Sequence, residues 1–355
     1  MIKQASPNGH TTQAMMDSNN ILEVNNLKMH FPITEGIFSR VRGFTKAVDD
    51  VTFSIRQGET LGLVGESGCG KSTIGRCLVR GYQPTSGQIL YRQADDSVID
   101  LASLEGEDLR PYRKDIRMIF QDPYSSLNPR MTVFENVSEA LLVNQMANRS
   151  EMEDRVAYLL RRVGLRPEYM RRYPHAFSGG ERQRVVIARA LVTNPRLIVA
   201  DEAVSALDVS VRAQILNLMQ ELQEDFNLTY LFISHDLSVI RHVCDRVVVM
   251  YVGKVAEVAE GLDLYINPQH PYTEALMSSV PISNPRQRNR SERIRLAGEV
   301  ADPSNPPSGC YFHPRCQYAQ DRCKQEEPLL RLTDEGHYAA CHYSDELDLR
   351  GAIIE

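Results

Sequence analysis

The sequence predicts an α/β protein built on a parallel sheet that carries a phosphate-binding loop. Three observations predict it. Residues 61–64 form a continuous apolar run of strand length that leads directly into a glycine-rich loop. Residues 197–200 and 230–233 are two more short apolar runs, suited to strands buried on both faces. Between them, residues 211–222 have helical spacing, and strand, helix, strand is the alternation that a parallel sheet requires.

The remaining elements follow in order. Residues 21–24 and 51–55 alternate apolar and polar side chains, with Gly58 as a turn, and predict short strands ahead of the loop. Residues 116–120 are strand-like, 151–163 have helical spacing with an arginine-rich face, and 185–191 read as a helix with a buried face. After about Glu260 the chain becomes rich in Pro, Asn and Arg, notably over 284–295, which places a domain boundary near residue 265. At 355 residues, one large nucleotide-binding unit plus an appendage is expected. Residues 1–20 are polar and lack the apolar core of a secretory signal, so they read as a flexible leader of a cytosolic protein.

Composition excludes several classes. No window approaches the roughly 20 apolar residues that span a bilayer. A net charge of -6 and a pI near 5.9 give no basic field for nucleic acid. No internal repeat or long heptad array is visible, which excludes a long coiled-coil insertion.

Residues 65–72 read GESGCGKS, the phosphate-loop pattern G-x-x-x-x-G-K-[ST], after a predicted strand and before a predicted helix. Gly65, Gly68 and Gly70 let the backbone curl so that its N–H groups face phosphate oxygens. Lys71 reaches the β/γ-phosphates, and the Ser72 hydroxyl ligates Mg²⁺. Glu66, Ser67, Cys69 and the adjoining Thr73 complete the set of candidate nucleotide contacts. Residues 197–201 form a strand ending in Asp201, placed to hold Mg²⁺ at the carboxyl end of the sheet. Glu202 comes next and is the candidate general base for an attacking water, the alternative being an exposed acidic turn. Ser178, Gly179 and Gly180 precede a helix and form a second anion-binding helix start, or simply a capping turn.

As an ordered set, GESGCGKS at 65–72, FSGGERQR at 177–184, LIVADE at 197–202, SALD at 205–208 and ISHD at 233–236 resemble the ATP-binding-cassette (ABC) family over residues 21–265. The resemblance implies a RecA-like P-loop ATPase core with an antiparallel β subdomain, an α-helical subdomain at about 122–180, and a small cysteine-containing C-terminal extension over 266–355. It implies ATP and Mg²⁺ as ligands. Gln121 matches the loop glutamine that senses Mg²⁺ and contacts the membrane partner, and His235 matches the switch histidine of the γ-phosphate. Asp208 lies in the loop that crosses between subunits. Phe31 matches the aromatic that stacks on adenine, with a core aromatic as its alternative, as a hydrogen-bonded strand-end histidine is for His235. Two cassettes of this family pack head to tail, so Ser178–Gly180 of one closes on the nucleotide of the other. The chain departs from the pattern at Ala203, where proline is common, and at Glu181, where glutamine is common.

Cys310, Cys316, Cys323 and Cys341 crowd the end of the chain at spacings unlike paired zinc knuckles, leaving a metal cluster or free thiols open. GCYFHPRC with the later cysteines, NPQHPYTEAL at 267–276 and FQDPYSSLNPR at 120–130 resemble dipeptide and oligopeptide importer ATPases, most like the second of two paired ATPase subunits. That resemblance implies a 4Fe–4S cluster on the four cysteines, with zinc or no metal as alternatives, and a regulatory redox role as a further reading. It implies an ATP-hydrolysing subunit at the cytoplasmic face of a bacterial inner membrane. Its partners would be a sister ATPase, two transmembrane permease subunits and, indirectly, an extracytoplasmic solute-binding protein, with no nucleic acid. Peptides are the expected cargo. Nickel or glycosidic solutes, or a soluble ABC ATPase outside transport, are the alternatives.

Overall fold

The computed structural model describes residues 16–36, 40–280 and 293–352. Residues 1–15 of the expected leader and 284–292 of the Pro-, Asn- and Arg-rich stretch lie outside the described residues.

Two sheets organise the chain. The first contains strands β1 (Asn20–Glu35), β2 (Arg40–Arg56), β4 (Ser86–Arg92) and β5 (Val98–Asp100), all antiparallel, in the order β2-β1-β4-β5. Its first two strands pair from Asn20 opposite Arg56 to Glu35 opposite Arg40, far beyond the short strands that alternation predicts. The reason is local: register shifts such as those at Val24/Leu27 and Met29/His30 break the two-residue period, so the hairpin continues where the pattern stops. Leu22, Val24, Leu27, Val48, Val51 and Ile55 close its buried face.

The second sheet holds β3 (Thr60–Val64), β6 (Ile116–Ile119), β7 (Leu197–Asp201), β8 (Thr229–Ile233), β9 (Arg246–Tyr251), β10 (Lys254–Glu260), β11 (Arg331–Asp334) and β12 (His337–Ala339). Their order is β11-β12-β10-β9-β3-β8-β7-β6, and the run from β9 to β6 is parallel. β3, β7 and β8 are buried at every position, as strands covered on both faces must be. Register then does the positioning: Leu63 stands beside Ile233, and Ile233 beside Asp201. The loops that follow β3, β7 and β8 therefore leave the sheet at one edge.

Helix α1 (Lys71–Leu78) follows β3, and the short α2 (Tyr112–Asp115) and α3 (Pro123–Ser126) flank β6. Helices α4 (Val133–Val143), α5 (Arg149–Arg162) and α6 (Gly179–Leu191) follow, and each starts with a reciprocal capping box: Thr132 with Glu135, Asn148 with Glu151, Ser178 with Glu181. Val137, Val156, Leu159, Val185 and Leu191 are fully buried in their shared core, worth roughly 1.5–3 kcal/mol per side chain. Helices α7 (Val209–Phe226) and α8 (Leu237–Val243) connect the parallel strands. Helices α9 (Gly261–Ile266) and α10 (Pro271–Met277) lead past residue 265, and α11 (Asp321–Gln325) precedes a hairpin that returns to the main sheet. There Glu257 of β10 pairs with Ala339, and Val258 with Tyr338.

Candidate active site

The phosphate loop is pinched between two strands. Gly65 has φ 150° and Gly70 φ 103°; a Cβ on Gly65 would lie 2.2 Å from the Met250 carbonyl oxygen, and one on Gly70 2.1 Å from that of Ala47. Only glycine tolerates both the backbone angle and the approach. Gly70 is the left-handed N-cap of α1, so Lys71 and Ser72 open the helix. Ser67 and Gly68 are exposed at the crest of the loop, Thr73 is half-buried, and burial pushes the Cys69 thiol up.

Lys71 is buried, and its Nζ donates to the carbonyls of Gly65 at 2.7 Å and Glu66 at 3.0 Å. The Ser72 hydroxyl donates to Asp201 Oδ1 at 2.8 Å, joining the helix to the end of β7. Burial, with the charge of Glu202 adding to it, holds the Asp201 carboxyl above its ordinary value.

Glu202 has φ 48°, a left-handed conformation that costs a non-glycine residue about 1 kcal/mol or more. Its N–H donates to the Ile233 carbonyl at 2.9 Å, and the Ser205 hydroxyl donates to its carbonyl at 3.0 Å, so the turn is held from both sides. The side chain then receives two contacts from different strand ends. Gln121 Nε2 donates to Oε2 at 2.8 Å, and His235 Nδ1 lies 3.1 Å from Oε1. Residues 121, 202 and 235 come together at the sheet edge with Ser72 and Asp201.

Ser178 caps α6, and Glu181 Oε2 accepts its N–H and its hydroxyl, both at 2.9 Å. Those bonds hold the Glu181 carboxyl below the usual carboxylate range. The departure from glutamine thus becomes the anion of a capping box. A Cβ on Gly180 would meet Val211 at 2.6 Å, which presses the start of α6 onto α7, while Gly179 has more room. Among the described residues, no hydrogen bond joins residues 178–180 to residues 65–73. Asp208 is the exposed N-cap of α7 and makes no side-chain capping bond. Phe31 stands on β1 opposite Thr45 and meets Tyr82 edge-on, ring centroids 5.5 Å apart.

The iron–sulfur expectation is corrected. Among the described residues, no group of three or more His, Cys, Asp or Glu is arranged to hold a metal ion. Cys310, Cys316, Cys323 and Cys341 do line one cavity, but it encloses only about 20 Å³, room for a single water. Burial pushes the Cys310 thiol up to about 12 and Cys316 up to about 11. All four are free cysteines.

Sequence reasoning missed two residues of the C-terminal part that reach the phosphate loop. The Tyr272 hydroxyl accepts the Glu66 N–H at 2.9 Å, and Arg315 forms a two-pronged ion pair with the Glu66 carboxylate at 2.7 and 3.1 Å. Arg315 lies inside GCYFHPRC, where the cysteines drew the reading.

A glycine-rich loop, a helix start and a hydroxyl–carboxylate pair beside a held glutamate are the arrangement expected of an ATP-binding cassette. Residues 48–205 match the family model described as ABC transporter, and residues 256–323 match the oligopeptide/dipeptide transporter C-terminal region. The oligopeptide transport ATP-binding protein AppF of Bacillus subtilis is 54% identical over 323 residues, covering 91% of this chain and 97% of that protein. The dipeptide transport ATP-binding protein DppF of Haemophilus influenzae is 45% identical, covering 94% and 100%. Among solved structures, cbiO1 of Clostridium perfringens, part of an ABC transporter complex, superposes with a TM-score of 0.58 at 28% identity, covering 70% of this chain and 91% of that one. A dimeric ATP-binding cassette bound to ADP and Pi gives 0.57, also at 28%, covering 67% and 98%. The chain belongs to the ABC transporter family, among its oligopeptide and dipeptide transport ATP-binding proteins.

Proposed function

We propose that this chain is the ATP-hydrolysing subunit of a bacterial importer for dipeptides and oligopeptides, working as a dimer with a sister ATPase. The observation that carries the hydrolytic part is the convergence of Gln121 and His235 on the two carboxylate oxygens of Glu202. A carboxylate so oriented accepts a proton from an attacking water, and its two neighbours keep it aimed. Ser72, Asp201 and Gln121 offer the hard oxygen donors that Mg²⁺ takes. Bound there, Mg²⁺ supplies charge neutralisation for the transferring phosphoryl group. Lys71 exchanges its hold on the Gly65 and Glu66 carbonyls for the β/γ-phosphates, the N–H groups of residues 65–73 cradle the rest, and Phe31 stacks on adenine.

The opposite half of each ATP site comes from the sister chain's counterpart of Ser178, Gly179, Gly180 and Asp208. Support for the closing surface is the start of α7, where Asp208 is exposed and the apolar Val209 beside it is 80% exposed. Support for the membrane partners is a groove of about 240 Å³ next to Gln121, lined by Val79, Met118, Phe120 and Val186 with Arg113 and Arg189. One of two transmembrane permease subunits docks there, and a solute-binding protein acts through the permeases from outside. No described helix is long and apolar enough to cross a membrane. In this reading the permeases hold the subunit at the cytoplasmic face of the inner membrane. Peptide cargo is supported by the names of the relatives.

Replacing Glu202 with Gln tests the hydrolytic assignment. The expected result is a complex that keeps ATP and loses turnover by about 10²–10⁴-fold. Full turnover in that variant removes Glu202 from the reaction.

A further inference from the structure

We propose that Arg315 is a positioning residue for the phosphate loop, reaching 249 positions back along the chain to neutralise Glu66 and hold it in place. The inference rests on the ATP-site reading of residues 65–73. Glu66 follows Gly65 directly and puts a carboxylate into a loop whose task is to receive a polyanion. Alone, that charge would oppose the triphosphate. The two-pronged contact from Arg315 cancels it, and the guanidinium is 8% exposed against 27% for Glu66, so water screens the pair weakly.

The geometry fixes more than charge. The Glu66 N–H is taken by the Tyr272 hydroxyl, its carbonyl by Lys71 Nζ, and its side chain by Arg315. Arg315 is in turn anchored by its neighbour Phe312, 2% exposed, which packs against Tyr251 at 5.2 Å, Tyr272 at 5.4 Å and His270 at 5.8 Å between ring centroids. Tyr251 ends β9 one residue after Met250, whose carbonyl pinches Gly65. The C-terminal segment and the strand that shape the loop thus share one aromatic cluster, with Arg315 as its charged tip.

The test is a MgATP titration of the full chain, with melting temperature recorded alongside, in wild type, R315A, R315K, E66Q and the double variant R315A/E66Q. R315A is expected to weaken MgATP binding about 10-fold and R315K less, since ammonium keeps the charge without the fork, while alanine at 315 costs under about 2-fold in the E66Q background. K71A runs beside them. If K71A leaves affinity unchanged, the ATP-site reading fails; if K71A weakens binding and R315A does not, only the present proposal fails. Equal weakening by R315A in both backgrounds, with a lowered melting temperature, makes Arg315 merely structural and overturns the proposal. Should R315A not accumulate as folded protein, R315K carries the same comparison: it must weaken binding with Glu66 present and not with Gln.

Discussion

Lys71 and Glu202 illustrate how much one residue can be constrained by its neighbours. Lys71 is 6% exposed, and its ammonium bonds to two carbonyls of its own loop. A buried ammonium satisfied only by two carbonyls and the Cys69 sulfur is poised to exchange them for a stronger anionic partner. Lys71→Ala is expected to lower MgATP affinity by about 10-fold or more, read by nucleotide titration, whereas Glu202→Gln spares affinity. Both residues were legible in the sequence because their motifs are contiguous and each glycine has a geometric reason. The partners of Glu202 were legible only through family resemblance, since nothing local in the sequence says that positions 121, 202 and 235 meet. Arg315 and Tyr272 were not legible at all: their contacts with Glu66 span 249 and 206 positions, and no local pattern encodes such a pair.

At the scale of elements, α5 and α6 were read from their helical spacing, whereas α4 was not predicted. The three boxes at Thr132, Asn148 and Ser178 all follow the pattern of a capping side chain with glutamate three residues on. Of the strands buried at every position, β3, β7 and β8 were plain in the sequence and β9 was not. The hairpin of β1 and β2 was underestimated because bulges interrupt its alternation, and β12 was missed because it is three residues long and carries a histidine. That histidine is the key to its docking. His337 Nε2 lies 2.6 Å from Glu257 Oε1, both fully buried, and Nδ1 lies 2.8 Å from Oδ2 of the partly exposed Asp263. Burial alone would push His337 down, but the hydrogen bonds and charges of Glu257 and Asp263 outweigh it and raise its pKa above the ordinary 6.5. Its contribution is therefore complete below about pH 6.5 and is lost as pH rises through the raised folded value. The neighbouring His270 behaves oppositely: burial pushes it down to about 4, so its contribution is present above about 6.5 and is lost as pH falls toward 4. Burial also holds the Glu257 carboxyl above its ordinary value, so Glu257 and His337 both favour the docked hairpin at lower pH, against His270. His337→Ala should destabilise it, because Glu257, whose carboxyl burial holds above its ordinary value, loses the ring nitrogen that faces it. Hydrogen exchange of the β12 amides against pH, in wild type and variant, measures both effects; a flat profile in the wild type would remove His337 from the docking.

Across the described residues, the C-terminal part is tied to the ATPase core at several places: β12 extends the main sheet beside β10, the segment around Phe312 and Arg315 reaches the phosphate loop, and Pro303 and Tyr311 bond to β2. Composition placed a boundary near residue 265 because polarity and proline content change there, and composition cannot register strands that return to the sheet seventy residues later. The same blindness misled the reading of the cysteines. Their crowding in sequence suggested a cluster, yet crowding does not fix how the thiols are arranged, and the cavity they line has room only for a water. The motifs named the chemistry, and the sheet edge assembled it.

The central claim is that this ATPase works as part of a membrane importer. Its most direct test is to isolate the tagged chain from native membranes in mild detergent and identify by mass spectrometry the proteins that remain bound. Recovery of two polytopic permease subunits and a sister ATPase is the result expected. Recovery of the chain alone, with none of it at the membrane, would contradict the account.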